Sequence, residues 1–152
     1  MINDLMIRNA KPGDIEALIG LLKLLFAIET DFSFDAAKQG RGLQLMFKAP
    51  DTRRITVAEI NNRVIGMCSA QLLVSTAEGG MAALIEDMVV VPEYRGQGIG
   101  KKLLAAIEDW AFQQGVSRVE LLADHTNAPA LAFYQTMKWS RTRLICLHKK
   151  SV

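Results

Sequence analysis

The chain is poor in the residues that build metal centres and covalent staples. It has two cysteines and two histidines among 152 residues. Cys68 and Cys146 lie far apart, as do His125 and His148, so neither pair has the spacing of a metal site, and no metal is expected. Both cysteines sit in apolar stretches and are expected as buried free thiols. No run of 18 apolar residues is present to span a membrane. Met1-Ile2-Asn3-Asp4 lacks a basic n-region, and no small-residue cleavage site follows an apolar core, so the expected location is cytoplasmic. Charge of one sign is scarce as well. A net charge of +2 offers no electrostatic footprint for nucleic acid, and no nucleic-acid or membrane partner is expected.

What is there is globular. Apolar residues make up 50% of the chain and charged residues 22%, and the length suits one domain over residues 1–152. No repeat or low-complexity tract interrupts it. Residues 4–9 read as a short strand, closed by Lys11-Pro12-Gly13. Behind Asp14, the residues Ile15, Leu18, Ile19, Leu22, Leu25 and Phe26 recur at helical spacing. Asp35 is placed to cap a second helix carrying Leu43, Met46 and Phe47, which Gly40 and Gly42 weaken. Residues 54–60 and 64–74 read as strands joined by Asn61-Asn62, a pair that tolerates the positive φ of a tight hairpin. Residues 83–91 form a further strand, ended by Pro92. Ile99, Leu103, Leu104, Ile107, Trp110 and Ala111 mark one face of a helix that stops at Gly115. A strand at 116–123, a helix at 127–137 and a last strand at 139–148 complete the order. The fold class is α/β (α+β), a mixed sheet with helices packed on it.

The segment Arg95-Gly96-Gln97-Gly98-Ile99-Gly100 joins a strand to a helix. The first N–H groups of a helix have no intrahelical partner and lie at the positive end of its dipole. Glycines remove the Cβ atoms that would hold an anion away. A diphosphate fits such a junction, and Arg95, Lys101 and Lys102 add positive charge. Spacing separates the known phosphate loops. A Walker A loop ending at Gly100 requires glycine at 95 and Ser or Thr at 102, where the chain has Arg95 and Lys102. The dinucleotide fingerprint requires glycine at 101 or 103, where the chain has Lys101 and Leu103.

The arrangement that fits is [Arg/Gln]-x-x-Gly-x-[Gly/Ala]. With its flanks, Ile85-Glu86-Asp87-Met88-Val89-Val90-Val91-Pro92-Glu93-Tyr94 before and Lys101-Lys102-Leu103-Leu104 after, it resembles the core of the GNAT superfamily of N-acetyltransferases. Asn127-Ala128-Pro129-Ala130-Leu131-Ala132-Phe133-Tyr134 is similar to that family's second landmark. The resemblance runs the length of the chain and departs at Lys138-Trp139, where the family often has Gly-Phe.

The resemblance implies a GNAT-like, mostly antiparallel sheet of about six to seven strands with about four helices. It implies acetyl-CoA as co-substrate, with its pantetheine arm along Met88, Val89 and Val90. Its diphosphate would lie on Arg95, Gly96, Gln97, Gly98, Ile99, Gly100 and Lys101, and Asn127, Ala130, Phe133 and Tyr134 would line the other wall. The implied reaction is direct attack of a primary amine on the thioester. An alkyl amine is protonated at neutral pH, so a base is needed within about 3 Å or one water of its proton. Glu86 is the first candidate; strand alternation puts Asp87 on the opposite face, and Asp87 or a water chain are the alternatives. Tyr134 is the candidate acid for the leaving thiolate. No nucleophilic cysteine is required, and His125 is expected as a solvated loop residue. Phe32, Phe34 and Met46 are candidates for the acceptor wall. A small-molecule amine is the expected acceptor, a peptide N-terminus or lysine the alternative, and a catalytically silent acyl-CoA sensor the reading from another class. A homodimer is compatible with the family.

Overall fold

The computed structural model describes residues 4–151 and divides the chain into two compact units, Met1–Leu121 and Leu122–Val152. The first unit holds a five-stranded sheet in the order β1-β2-β3-β4-β5. These strands are β1 (Met6–Asn9), β2 (Arg53–Ile60), β3 (Arg63–Ser75), β4 (Gly80–Val90) and β5 (Val119–Leu121). The first four are antiparallel, and β5 joins β4 in parallel through Ala83–Val119, Leu84–Glu120 and Ile85–Leu121. Helix α1 (Ile15–Ile28) lies against β3 and β4, α2 (Ala36–Phe47) against β2, and α3 (Ile99–Gln113) against β2, β3 and β4.

Local chemistry explains most of these boundaries. Asn61 and Asn62 sit at φ 50° and 62°, so the β2–β3 hairpin closes on a two-residue turn whose twist matches the strands. The Asp35 carboxylate accepts the Lys38 N–H at 3.1 Å and starts α2 despite Gly40 and Gly42. Asp14 does not cap α1. Its carboxylate accepts the Lys11 N–H at 2.7 Å and is held by Arg8 at 2.8 Å, which ties β1 to the start of α1. Leu18, Leu21, Leu22 and Leu25 of α1 and Ile99, Leu103, Leu104, Ile107, Trp110 and Ala111 of α3 are buried, as their 3.6-residue spacing requires.

Residues 65–70 of β3 are all buried, because helices cover both faces of this strand. Gly66 lies on the face under α3. A Cβ there would stand 3.0 Å from Leu103 Cδ1, 3.2 Å from the Val89 carbonyl oxygen and 3.3 Å from Val90 Cγ2. Strand alternation puts Met67 and Ser69 on the other face.

The second unit contains α4 (Ala128–Thr136). Asn127 caps it by accepting the Ala130 N–H at 3.2 Å. At its end, Lys138 N–H donates to the Gln135 carbonyl and Trp139 N–H to the Tyr134 carbonyl, both at 3.0 Å. Lys138 takes φ 67°, the left-handed position that glycine fills at most such helix ends. The Trp139 ring then meets Tyr134 edge-on at 6.3 Å, so the departure Lys138-Trp139 still builds this turn.

Four expectations are corrected. The sheet has five strands, not six to seven. The predicted strand at 116–123 shortens to Val119–Leu121, and no strand forms over 139–148. A strand exists only where a ladder takes its N–H and C=O groups, and 139–148 has strand composition without a ladder. Its Leu144, Ile145 and Leu147 are at least 80% exposed. Cys146 is exposed with them, whereas Cys68 is buried as expected.

Gly66→Ala is expected to destabilise the protein by about 1–3 kcal/mol, because the Val89 carbonyl is backbone and cannot swing aside. Denaturant unfolding reads this directly, and an unchanged midpoint would contradict the close approach. Lys138→Gly is expected to stabilise by up to about 1 kcal/mol, since it relieves the left-handed cost of a residue with a Cβ. A fall in melting temperature would refute it.

Candidate active site

β4 is not a regular strand. Opposite β3, Ser69 pairs with Glu86 and Met67 pairs with Val89, so β4 spends three steps where β3 spends two. The extra residue is a bulge at Asp87-Met88, and Asp87 takes φ 50°. The regular pleat on which the alternation of Glu86 and Asp87 was predicted is interrupted at this point. Glu86 is exposed. Asp87 is partly buried, and its Oδ2 accepts the Ser69 hydroxyl at 3.1 Å. Burial pushes the Asp87 carboxyl above the usual range, and the Ser69 bond acts against this. Glu86 is pushed up as well, first by partial burial and then by the Asp87 charge.

Beyond the bulge, Met88 and Val90 are half-buried and Val89 is buried. Val91 begins a short 3-10 turn, Pro92–Tyr94, which leads into the glycine segment. Arg95 Nε donates to the Val90 carbonyl at 2.8 Å, and Gln97 Nε2 donates to the Glu93 carbonyl at 3.1 Å. Both side chains thus brace the loop from outside. The Arg95 guanidinium is turned back onto the end of β4.

Gly96 and Gly98 take φ 74° and 81°, a region that residues with a Cβ rarely adopt. Gly98 is the N-cap of α3 and has no side chain to close it. The α3 ladder begins with Lys102 N–H on the Gly98 carbonyl at 3.2 Å, so the amides of Ile99, Gly100 and Lys101 lie ahead of it. A Cβ built on Gly96 or Gly98 meets nothing within 4 Å. These two glycines therefore leave open space before a row of helix amides, an arrangement that could hold an anion. Lys101 and Lys102 are exposed on the first turn.

In the second unit, Asn127, Ala130, Phe133 and Tyr134 are all half-buried. Phe133 and Tyr134 stack edge-on at 5.3 Å. Asn127 spends its carbonyl oxygen on the helix cap. His125 is exposed on the preceding turn, which Asp124 holds by accepting the Thr126 N–H at 2.8 Å.

The model of the Acetyltransferase (GNAT) family matches residues 22–139. The chain belongs to that family. GNAT relatives share its sequence along most of its length. Streptothricin acetyltransferase of Streptomyces lavendulae is 28% identical over 153 residues, covering 86% of this chain and 78% of that one. Aminoalkylphosphonate N-acetyltransferase of Salmonella typhimurium is 30% identical over 128 residues, covering 84% of this chain and 80% of that one. A possible acetyltransferase from Clostridium difficile 630 superposes with a TM-score of 0.85 over 99% of both chains at 16% identity, which establishes the shared fold.

This GNAT chain is an N-acetyltransferase, and its family uses acetyl-CoA. Its bulge, strand end and glycine loop form one continuous run on β4 and α3. Cys68, beside the bulge, is an inert thiol, because burial first, and the charges of Asp87 and Glu108 after it, raise its pKa. Among the described residues, no group of three or more His, Cys, Asp or Glu side chains could hold a metal. No helix among them is long and apolar enough to cross a membrane. Two features escaped the sequence reading. The bulge has no residue signature of its own, although two adjacent acids in an apolar strand hint at irregularity. Ser69 was visible only as a lone hydroxyl in an apolar run.

Gly98→Ala in this GNAT enzyme separates binding from folding. The new methyl would clash with nothing in the protein, so the stability loss is the backbone strain of about 1–2 kcal/mol. Acetyl-CoA affinity, measured by calorimetry, is expected to fall by about tenfold or more, equivalent to about 1.4 kcal/mol. Unchanged affinity would remove the loop as the diphosphate site.

Proposed function

We propose that this chain works as one acetyltransferase domain that acetylates the primary amine of a small molecule. The observation that carries this reading is the glycine cradle before α3, continuous with a bulged β4. Met88, Val89 and Val90 would pair with the pantetheine arm, and the amides from Arg95 to Lys101 would hold the diphosphate. The Val90 carbonyl is already taken by Arg95, so the arm's pairing falls on the remaining groups of this strand. Asn127, Ala130, Phe133 and Tyr134 of the second unit are the further proposed cofactor contacts.

When bound, acetyl-CoA supplies a thioester that the amine attacks, forming a C–N bond and breaking the C–S bond. Glu86 takes the proton from the amine nitrogen. Its exposure leaves it accessible, and its raised pKa brings it nearer to that of the amine, which favours proton transfer. Tyr134 gives its phenolic proton to the departing thiolate. The small-amine acceptor is supported by the names of two relatives, whose substrates are streptothricin and aminoalkylphosphonates. The exposed Phe32 and Phe34, in the loop between α1 and α2, are the proposed acceptor contacts; Lys23 lies over the Phe34 ring at 5.8 Å.

Acetyl-CoA at about 100 times its Kd is expected to add about 2.7 kcal/mol of stability, visible as a rise of several degrees in melting temperature. Thiol release should then identify the acceptor from a panel of aminoglycosides, aminoalkylphosphonates, polyamines and peptides. Tyr134→Phe is expected to lower kcat at least tenfold, about 1.4 kcal/mol, with acetyl-CoA affinity retained. Acetylation of peptides alone would overturn the small-molecule acceptor, and full turnover in Tyr134→Phe would remove the acid.

A further inference from the structure

The bulge carries a second acid that the proposed transfer leaves unused. Asp87 stands in the left-handed region at φ 50°, in the middle of a strand. Such a residue persists only where its surroundings over-determine it. On the neighbouring strand Ser69, itself 4% exposed, donates its hydroxyl to Asp87 Oδ2 at 3.1 Å. Among the described residues, no cation pairs with Asp87. Asparagine or glycine would make the same turn without burying a charge. A partly buried acid that costs stability beside a proposed proton acceptor is the pattern of a functional group.

We propose that Ser69 and Asp87 are a positioning pair for acetyl transfer: Ser69 clamps the Asp87 carboxyl on the bulge, next in the strand to Glu86, the proposed proton acceptor. The groups around the pair suit this role. β4 contributes Glu86 and Asp87. β3 contributes Ser69 and the Cys68 thiol, which stays protonated and neutral. α3 contributes Glu108, a further negative charge acting on the same thiol. Burial raises the Asp87 carboxyl, the Ser69 bond acts against this, and the Asp87 charge adds to the partial burial that raises Glu86. This inference rests on the reading of Glu86 as the acceptor.

Asp87→Asn tests it, because asparagine tolerates the left-handed φ, still bonds Ser69 and lacks the charge. The first readout is a carboxyl-carbon NMR titration of the protein without ligand. Glu86 is expected to titrate above an ordinary glutamate in the wild type and to move downward in Asp87→Asn. Ser69→Ala is expected to give a smaller downward movement. The second readout is turnover. In Asp87→Asn, kcat is expected to fall about three- to tenfold with the acetyl-CoA KM unchanged. Stability supplies the sign check. The Asp87 pKa is raised on folding, so the native state binds its proton more tightly and stability falls as pH rises through the folded pKa. Asp87→Asn should therefore melt higher than the wild type at neutral pH, and that difference should vanish below about pH 3.9. A Glu86 titration that does not move in Asp87→Asn overturns the pair, even if Glu86→Gln is inactive. A kcat loss accompanied by a lower melting temperature overturns it in favour of a structural role. Full turnover in Glu86→Gln removes Glu86 as the acceptor, and the positioning role with it, whatever the titration shows.

Discussion

The ladder between β3 and β4 runs from Ser75–Gly80 to Gly66–Val90 with one extra residue in it. That insertion falls where β3 is buried on both faces, so neither helix layer can absorb it by moving away. Below it, Gly66 lets Leu103 of α3 come within contact of the strand. Above it, the Ser69 hydroxyl bonds the Asp87 carboxylate. The strand that leaves the bulge is therefore fixed at both ends, by the ladder behind it and by α3 ahead of it. The glycine loop takes its place from that constraint.

The electrostatics of the site follow from the same arrangement. The anion cradle is built from backbone amides at the start of α3, while the Arg95 side chain is turned back to the Val90 carbonyl. Its charge still adds to the local field, but its Nε is committed to shaping the loop. A few residues upstream the sign reverses. Glu86 and Asp87 stand together at the bulge, and burial raises both carboxyls. An acetyltransferase needs both environments close together, one for a diphosphate and one for an ammonium proton. Here a single strand-loop-helix run carries an open row of helix amides and a pair of adjacent acids.

Features written in short stretches of sequence were legible. The Asn61-Asn62 hairpin, the Asp35 cap and the apolar face of α3 each depend on residues within one or two turns of each other. The GNAT resemblance was legible for the same reason, since its glycine signature and its Asn127–Tyr134 register are local spacings. Features that depend on pairing were not. The bulge at Asp87 is defined by what β3 does opposite it, and strand alternation read along β4 alone carries no sign of it. Residues 139–148 have the composition of a strand, but composition cannot supply a neighbour, and Leu144, Ile145 and Leu147 are left exposed. Cys146 is exposed with them.

By itself, the sequence determined that a strand runs into a glycine turn and then a helix, that this turn leaves helix amides ahead of the first ladder bond, and that the chain is a GNAT protein. Those are consequences of φ preferences, helix periodicity and the dipole at a helix start, all of which act over a few residues. Only the tertiary structure decided which acid lies exposed and which is clamped. That depends on a register between two strands, a contact between α3 and Gly66, and a buried hydroxyl 18 positions away from the carboxyl it holds. Burial and pairing set the proton chemistry of Glu86 and Asp87, and neither quantity belongs to a residue until the chain has folded around it.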